Sequence, residues 1–176
     1  MNRLITRSAS IFTALLLTGC ASHPPAPETR AVTILRTAHG VPHINAPDVE
    51  TLAYGVAYAH AQDNICQTAQ QLLTVRGERS RAFGGAASAL LGRRVLTNEQ
   101  IDLFIAAHMD DAALARSWAQ QASADSQAMA RGYVAGYNRY LADNGNSLPA
   151  ACRGQAWVQP MLLAHFYRLN EVASVQ

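Results

Sequence analysis

Apolar and polar residues alternate between positions 32 and 45, and the alternation changes direction at a tight turn. A period of two is typical of a strand, and His39-Gly40 supplies the turn because glycine tolerates a positive φ. Pro42, which cannot donate a backbone hydrogen bond, suits the start or the edge of a second strand. The pattern predicts a small hairpin over residues 32–45.

A helical period replaces the alternation after Asp48, which is a good N-cap residue. The predicted helix continues to about Val75. Gly55 costs about 1 kcal/mol relative to alanine inside a helix, so we expect that it allows another element to approach closely. The apolar face of this helix is predicted to contain Leu52, Val56, Ala59, Ile65, Ala69 and Leu72.

Three further helices are predicted in the second half of the chain. Residues 84–96 are rich in glycine and alanine and are interpreted as a mobile loop, either a connector or a lid. Helices are then predicted from Asn98 to about Gln121, from Asp125 onwards, and after Pro160. The second of these carries a stripe that is typical of a core or a subunit interface, formed by Met129, Tyr133, Tyr137 and Tyr140. The predicted fold class is α+β, mostly helical with a short N-terminal hairpin.

Composition indicates one modest domain. The chain has 176 residues, of which 49% are hydrophobic and 15% are charged, and its formal net charge is +2. Basic residues form no long cluster, which argues against a nucleic-acid partner.

Residues 1–20 have the features of an export signal. Arg3 and Arg7 precede an apolar run that is too short for a stable bilayer span. The run ends in Leu-Thr-Gly-Cys, which resembles a lipobox with Cys20 as the lipid attachment site; an ordinary signal cleaved near Ala21 is the alternative. Residues 21–31 are rich in proline and predict an extended tether before a domain at 32–176. Export predicts a periplasmic location, with an outer-membrane lipid anchor if Cys20 is modified.

Export affects the interpretation of the other two cysteines. An oxidising compartment permits a disulfide between Cys66 and Cys152, although each could instead be a buried thiol or pair with another chain. Metal binding is not expected, because His39 and His43 lie across a turn and no Cys-x-x-Cys pair or helical His repeat is present.

Several segments together resemble a known family. In order they are GVPHI, LAYGVAYAHAQDN, RGERSRAFG, GYNRYL and CRGQAWVQP. Their order and spacing resemble the small (α) subunit of the penicillin acylase family, and within it the branch of acyl-homoserine lactone acylases and aculeacin-type acylases. The resemblance covers most of the chain after the tether.

The resemblance implies an N-terminal nucleophile amidohydrolase. Such a precursor cuts itself into an α chain and a β chain, which together form a four-layer αββα domain. The nucleophile is the serine at the start of the β chain, so no catalytic residue is assigned here. The implied partners are a β chain, in an αβ heterodimer, and an acylated small molecule, either an N-acyl-homoserine lactone or a β-lactam side-chain amide. The sequence ends within a predicted helix at Gln176, which fits half of a processed protein.

The resemblance also suggests that the C-terminal helix helps to form an acyl pocket. Leu169 and Val172 are the candidate wall residues, with plain packing against the β chain as the alternative. No cofactor or metal is expected, since the surroundings of Glu171 do not match the calcium motif of some relatives. Two rival hypotheses are a non-enzymatic envelope lipoprotein that binds a partner, and a small enzyme with Cys20 as an N-terminal nucleophile.

Overall fold

The computed structural model describes residues 31–174 as a mainly helical chain with two small antiparallel sheets. Cys20, the export signal and the tether up to residue 30 lie outside the described residues, and so do positions 175–176. The elements are, in chain order, β1 (Thr33–Arg36), β2 (Pro42–Asn45), α1 (Val49–Val75), α2 (Arg79–Phe83), β3 (Ser88–Leu91), β4 (Arg94–Thr97), α3 (Asn98–His108), α4 (Asp111–Gln121), α5 (Ala124–Asn144) and α6 (Leu163–Ser174).

The N-terminal hairpin forms as predicted and packs on the first half of α1. Strands β1 and β2 are antiparallel with Ile34 opposite Ile44, and Gly40 in the turn has a φ of 80°. A Cβ atom on Gly55 would lie 2.5 Å from Val32 Cγ2 and 2.7 Å from Ile44 Cγ2. The packing role predicted for Gly55 is therefore confirmed.

Arg36 fastens the hairpin to α1. Its guanidinium donates to Asp63 Oδ2 at 3.2 Å, to Gln62 Oε1 at 2.9 Å and to the Ala59 carbonyl at 3.1 Å. It also donates to the Gly40 carbonyl at 2.8 Å. One side chain thus joins the turn of the hairpin to the middle of the helix.

The long helix α1 has the predicted limits, but the predicted apolar face is wrong at its start. Asp48 caps the helix by accepting a hydrogen bond from the Thr51 amide at 2.7 Å. Leu52 and Val56 are each 41% exposed, and the buried positions in this half carry mainly alanine and glycine. The backbone departs from helical geometry at Asn64, where φ is −135° and ψ is 25°.

The small residues face α5, which packs against α1 at very short range. A Cβ atom on Gly132 would overlap the Glu50 carbonyl and lie 3.2 Å from Ala53 Cβ. A Cβ atom on Gly136 would overlap the Tyr54 carbonyl in the same way. Size rather than hydropathy therefore decides which face of α1 is buried.

The main core continues from this contact towards the second half of α1. Cys66 and Cys152 are joined by a disulfide with Cα atoms 5.4 Å apart, which ties the helix to the segment between α5 and α6. Tyr137 from the predicted aromatic stripe is 1% exposed and belongs to this core, whereas Met129 is 50% exposed. No helix within residues 31–174 combines the length and the apolar character that a membrane span needs.

Two predictions for the middle of the chain are wrong. Residues 84–96 contain the hairpin β3–β4, whose tight turn is made by Gly92 with a φ of 60°. The single helix predicted over residues 98–121 is interrupted, because Met109 adopts extended geometry and Asp110 caps α4 by accepting from two amides. Helix starts are also shifted by one or two residues, with Thr97 and Ser123 as the N-caps of α3 and α5.

Candidate functional site

A polar network after α1 holds the second hairpin in place. Asp102 on α3 accepts hydrogen bonds from the backbone amides of Arg79 at 2.9 Å and Ser80 at 2.7 Å. Asn98, which is 1% exposed, accepts from Arg79 Nε at 2.9 Å and donates to the Gly84 carbonyl at 2.8 Å. These bonds join the RGERS segment, the start of α3 and the chain that enters β3.

Arg79 is the centre of this network. Partial burial lowers the pKa of its guanidinium, and the nearby carboxylate of Asp102 opposes that shift. Its Nη1 donates to Thr74 Oγ1 at 3.0 Å, and its guanidinium carbon lies 5.3 Å from the centre of the Phe83 ring. The side chain therefore bridges the end of α1 and α2.

An apolar cluster lies beneath the hairpin and joins three helices. Val172 on α6 is 6% exposed and packs with residues from the end of α1 and from α3. The buried members of this cluster are Val75, Ile101, Ile105, Met109 and Val172. Since α6 contributes to the same cluster, the hairpin and α6 have fixed positions relative to α3.

The first cavity is a cleft of about 430 Å³ between the end of α1, the hairpin β3–β4 and α6. Both candidate wall residues, Leu169 and Val172, line it. The rest of the wall is formed by Gln71, Thr74, Val75, Leu90, Leu91, Gly92 and Ala173. The two candidates are thus brought together in one cleft, although their role in acyl binding stays a prediction.

A second cavity, of about 570 Å³, lies on the other side of Val172 between the hairpin and α3. It shares Leu91, Gly92 and Val172 with the first cavity. Its remaining lining is Arg93, Arg94, Leu96, Phe104 and His108. The two cavities therefore adjoin along one side of the hairpin.

His165 lies in the first turn of α6, and its surroundings favour the neutral form of its ring. Its Nδ1 accepts a hydrogen bond from the Leu162 amide at 3.2 Å. Burial lowers the pKa of His165, and the positive charges of Arg76 and Arg168 lower it further. Arg168 also donates to the Val75 carbonyl at 2.9 Å, which ties α6 to the end of α1.

The described residues contain no assembled nucleophile. No serine hydroxyl between positions 31 and 174 is hydrogen-bonded to a histidine or a carboxylate, and the buried Ser80 hydroxyl has no partner there. Over the same span, no three His, Cys, Asp or Glu side chains are grouped as a metal site. The described residues therefore form clefts with partly apolar walls that can hold part of a ligand, and they bring no catalytic group together there.

The sequence did not lead us to predict that a hairpin forms one wall of both cavities. The sequence did contain a signal for this hairpin. Gly92-Arg93 can form a two-residue turn, and the β-prone pairs Leu90-Leu91 and Val95-Leu96 lie on either side of it. The surrounding glycines and alanines concealed this signal.

Comparisons with known proteins agree on one family. Residues 31–170 match the model of the penicillin amidase family. The chain is 41% identical over 145 residues to the acyl-homoserine lactone acylase PvdQ of Pseudomonas fluorescens, which covers 82% of this chain and 18% of that protein. It is 39% identical over 143 residues to the aculeacin-A acylase of Actinoplanes utahensis, which covers 80% of this chain and 18% of that protein.

A solved structure shows the same fold. The thermostable penicillin G acylase from Alcaligenes faecalis superposes with a TM-score of 0.66 at 24% sequence identity, covering 81% of this chain and 71% of that chain. The chain spans about a fifth of the length of the curated relatives. The family model matches most of the chain, and the chain therefore belongs to the penicillin amidase family.

Proposed function

We propose that this chain is the α subunit of an exported amidohydrolase that cleaves the amide bond of N-acyl-homoserine lactones. The observation that carries the proposal is the identity of 41% over 145 residues to an acylase named for that substrate. The 39% identity to an aculeacin-A acylase supports the broader class of acyl-amide hydrolysis. Side-chain amides of β-lactams are a second candidate substrate class.

The chemistry requires a second chain. A serine hydroxyl is a weak nucleophile that needs a base within hydrogen-bond reach. The α-amino group of an N-terminal serine, with a reference pKa of about 7.7–8.0, can be that base. Attack on the amide carbonyl forms an oxyanion, which preorganised donors must stabilise. We assign the serine and these donors to a β chain cut from the same precursor, in an αβ heterodimer whose two chains complete an αββα fold.

The contribution of this chain is to bind the acyl group. The first cavity is lined on the α6 side by Leu169 and Val172 and on the hairpin side by Leu91, while Gln71 and Thr74 give it a polar part. Burial of an alkyl chain against such apolar side chains is favourable by about 0.8 kcal/mol for each CH₂ group. Acyl length and cavity shape should therefore determine substrate preference.

Export belongs to the same proposal. A signal over residues 1–20 would deliver the precursor to the periplasm, and lipid attachment at Cys20 would anchor it to the outer membrane. The oxidising compartment would also maintain the disulfide between Cys66 and Cys152. The comparisons give no support to a non-enzymatic lipoprotein.

The test is to express the chain together with the segment that follows it in the gene, and to measure release of homoserine lactone from acyl donors of graded length. We expect hydrolysis by the assembly and none by this chain alone. Leu169→Trp should shift the preference towards shorter acyl chains, because the larger ring fills the first cavity. Leu103→Trp is the matched control, since Leu103 is 64% exposed on α3. Activity in this chain alone, or an assembly inactive on every donor, would refute the proposal.

A further inference from the structure

The second cavity has an unusual charge distribution. Arg93 and Arg94 line it at the tip of the hairpin, and no acidic side chain contributes to its wall. Within residues 31–174, neither guanidinium forms an ion pair or a hydrogen bond. Other arginines of the described chain do pair with carboxylates, namely Arg36, Arg76, Arg81, Arg131, Arg139 and Arg168.

The remainder of the second cavity is mostly apolar. Leu91, Leu96, Phe104 and Val172 contribute to its wall. The His108 ring stacks on the Phe104 ring with centroids 4.4 Å apart, which adds a second flat ring to the wall. The volume of about 570 Å³ is typical of small-molecule sites, which occupy roughly 300–1,000 Å³. One end of the cavity therefore suits an anion and the rest suits a hydrocarbon.

We propose that the second cavity binds a free long-chain carboxylate, with its head group on Arg93 and Arg94. Guanidinium groups bind carboxylates through paired, charge-assisted hydrogen bonds. The alkyl chain would lie along Leu91 and Phe104 and could continue past Val172, which also lines the first cavity.

The ligand follows from the chemistry proposed above. Hydrolysis of an acyl amide by water gives an amine and a carboxylic acid, and the acid ionises at neutral pH. The inference that the ligand is a reaction product rests on the proposed function. The inference that the cavity binds a carboxylate rests on the residues that line it. An acid that occupies the second cavity would be held next to the acyl-binding cleft after its release.

An anionic membrane surface is the competing occupant. Leu90 and Val95 face each other across the strands and are 69% and 70% exposed, so the outer face of the hairpin is apolar beside the two arginines. That face carries only one apolar cross-strand pair, however, because the other pair on it is Ser88 and Thr97. Leu91 and Leu96 line a concave surface on the opposite side. The concave side favours a single molecule over a bilayer.

The test uses the assembly with its β chain and titrates it with decanoate in a calorimeter. We expect two classes of decanoate site, one in the acyl-binding cleft and one that depends on the arginines. The double variant Arg93→Gln/Arg94→Gln should lose the second class or bind it roughly 10- to 100-fold more weakly, as expected for lost hydrogen bonds to a charged group. Arg116→Gln, at an exposed arginine of α4, should bind decanoate as the wild type does.

Two further ligands distinguish a bound carboxylate from a bound hydrocarbon and from a membrane surface. Decanol, which lacks the charge, should not occupy the second class of site. Vesicles of phosphatidylcholine with phosphatidylglycerol should not bind to the protein through the arginine pair. The inference would be overturned if the double variant bound decanoate as the wild type does, or if decanol bound as well as decanoate. It would also be overturned if the double variant lost vesicle binding without a change in decanoate binding.

Rates of homoserine lactone release from the wild-type assembly separate this inference from the proposed function. Hydrolysis without arginine-dependent decanoate binding refutes only the second cavity as a site. Arginine-dependent binding without hydrolysis of any acyl donor refutes only the proposed activity.

Discussion

Replacement of Gly132 or Gly136 by alanine should destabilise the protein, although alanine is the better helix former. On propensity alone, each substitution within α5 would stabilise the helix by about 1 kcal/mol. The added Cβ on Gly132 would instead overlap the Glu50 carbonyl group and lie 2.9 Å from its carbon. On Gly136 it would lie 2.8 Å from the Tyr54 carbonyl carbon. The sign of the change therefore tests how closely the helices approach.

The size of the effect follows from what must move. Carbon atoms normally pack about 3.5–4.0 Å apart, so α5 must withdraw from α1 by roughly 1 Å. The obstacle is backbone, which cannot rotate away as a side chain can. Overpacking in a core typically destabilises by about 1–3 kcal/mol, and we expect a cost in the upper part of that range. After the gain of about 1 kcal/mol in helix propensity is subtracted, each variant should be about 2 kcal/mol less stable than the wild type. The double variant should be less destabilised than the sum, because one shift of α5 relieves both overlaps.

The assay is urea unfolding of the assembled protein, followed by circular dichroism. Gly145→Ala is the matched control, since Gly145 follows the same helix with a φ of −51° and nothing within 4 Å of an added Cβ. It should be neutral or stabilising by up to about 1 kcal/mol. Gly132→Ala with wild-type or higher stability would refute the close approach of α1 and α5.

Three other changes have predictable effects. Removing the disulfide with Cys66→Ser/Cys152→Ser should lower the free energy of unfolding by about 4 kcal/mol, since the bridge closes a separation of 86 residues. Wild type and variant should have equal free energies of unfolding under reducing conditions. A clearly smaller difference between them without reductant would contradict this prediction. The pKa of His165 is lowered in the folded state, so its contribution to stability is fully present above its ordinary pKa of about 6.5 and is lost as pH falls through the folded pKa. Unfolding measured from pH 7.5 to 5 should show a weaker pH dependence in His165→Gln, and an unchanged pH dependence would contradict this shift. Asn98→Ala should destabilise by about 1–3 kcal/mol because it removes the acceptor of Arg79 Nε and a donor to the Gly84 carbonyl from a buried position. Near wild-type stability in urea unfolding would contradict the network.

Sequence reasoning was most successful where a backbone requirement selects a residue. Asp48 caps α1 and Gly40 makes the first turn, both as the sequence predicted. It failed for Leu52 and Val56, because a hydropathy pattern assigns the larger apolar residues to the core. Here the opposite face is buried, since only glycine and alanine allow two helix backbones to approach so closely. That preference depends on the partner helix, which is far away in the sequence.

The candidate site was harder to predict. Leu169 and Val172 could be proposed only from a family resemblance, and the hairpin that completes their cleft was interpreted as a loop. The strands β3 and β4 have four residues each, which is too few for a clear alternating pattern. Their position is determined by buried contacts from Asn98 and by the cluster around Val172, which are tertiary interactions.

Location of the covalent intermediate tests the division of labour between the chains most directly. The assembly should be incubated with a serine-reactive acylating reagent and each chain weighed by mass spectrometry. We predict one adduct, on the N-terminal serine of the β chain, and none on this chain. An adduct on a residue of this chain, such as Ser80, would contradict the proposal that it binds the acyl group while another chain supplies the nucleophile.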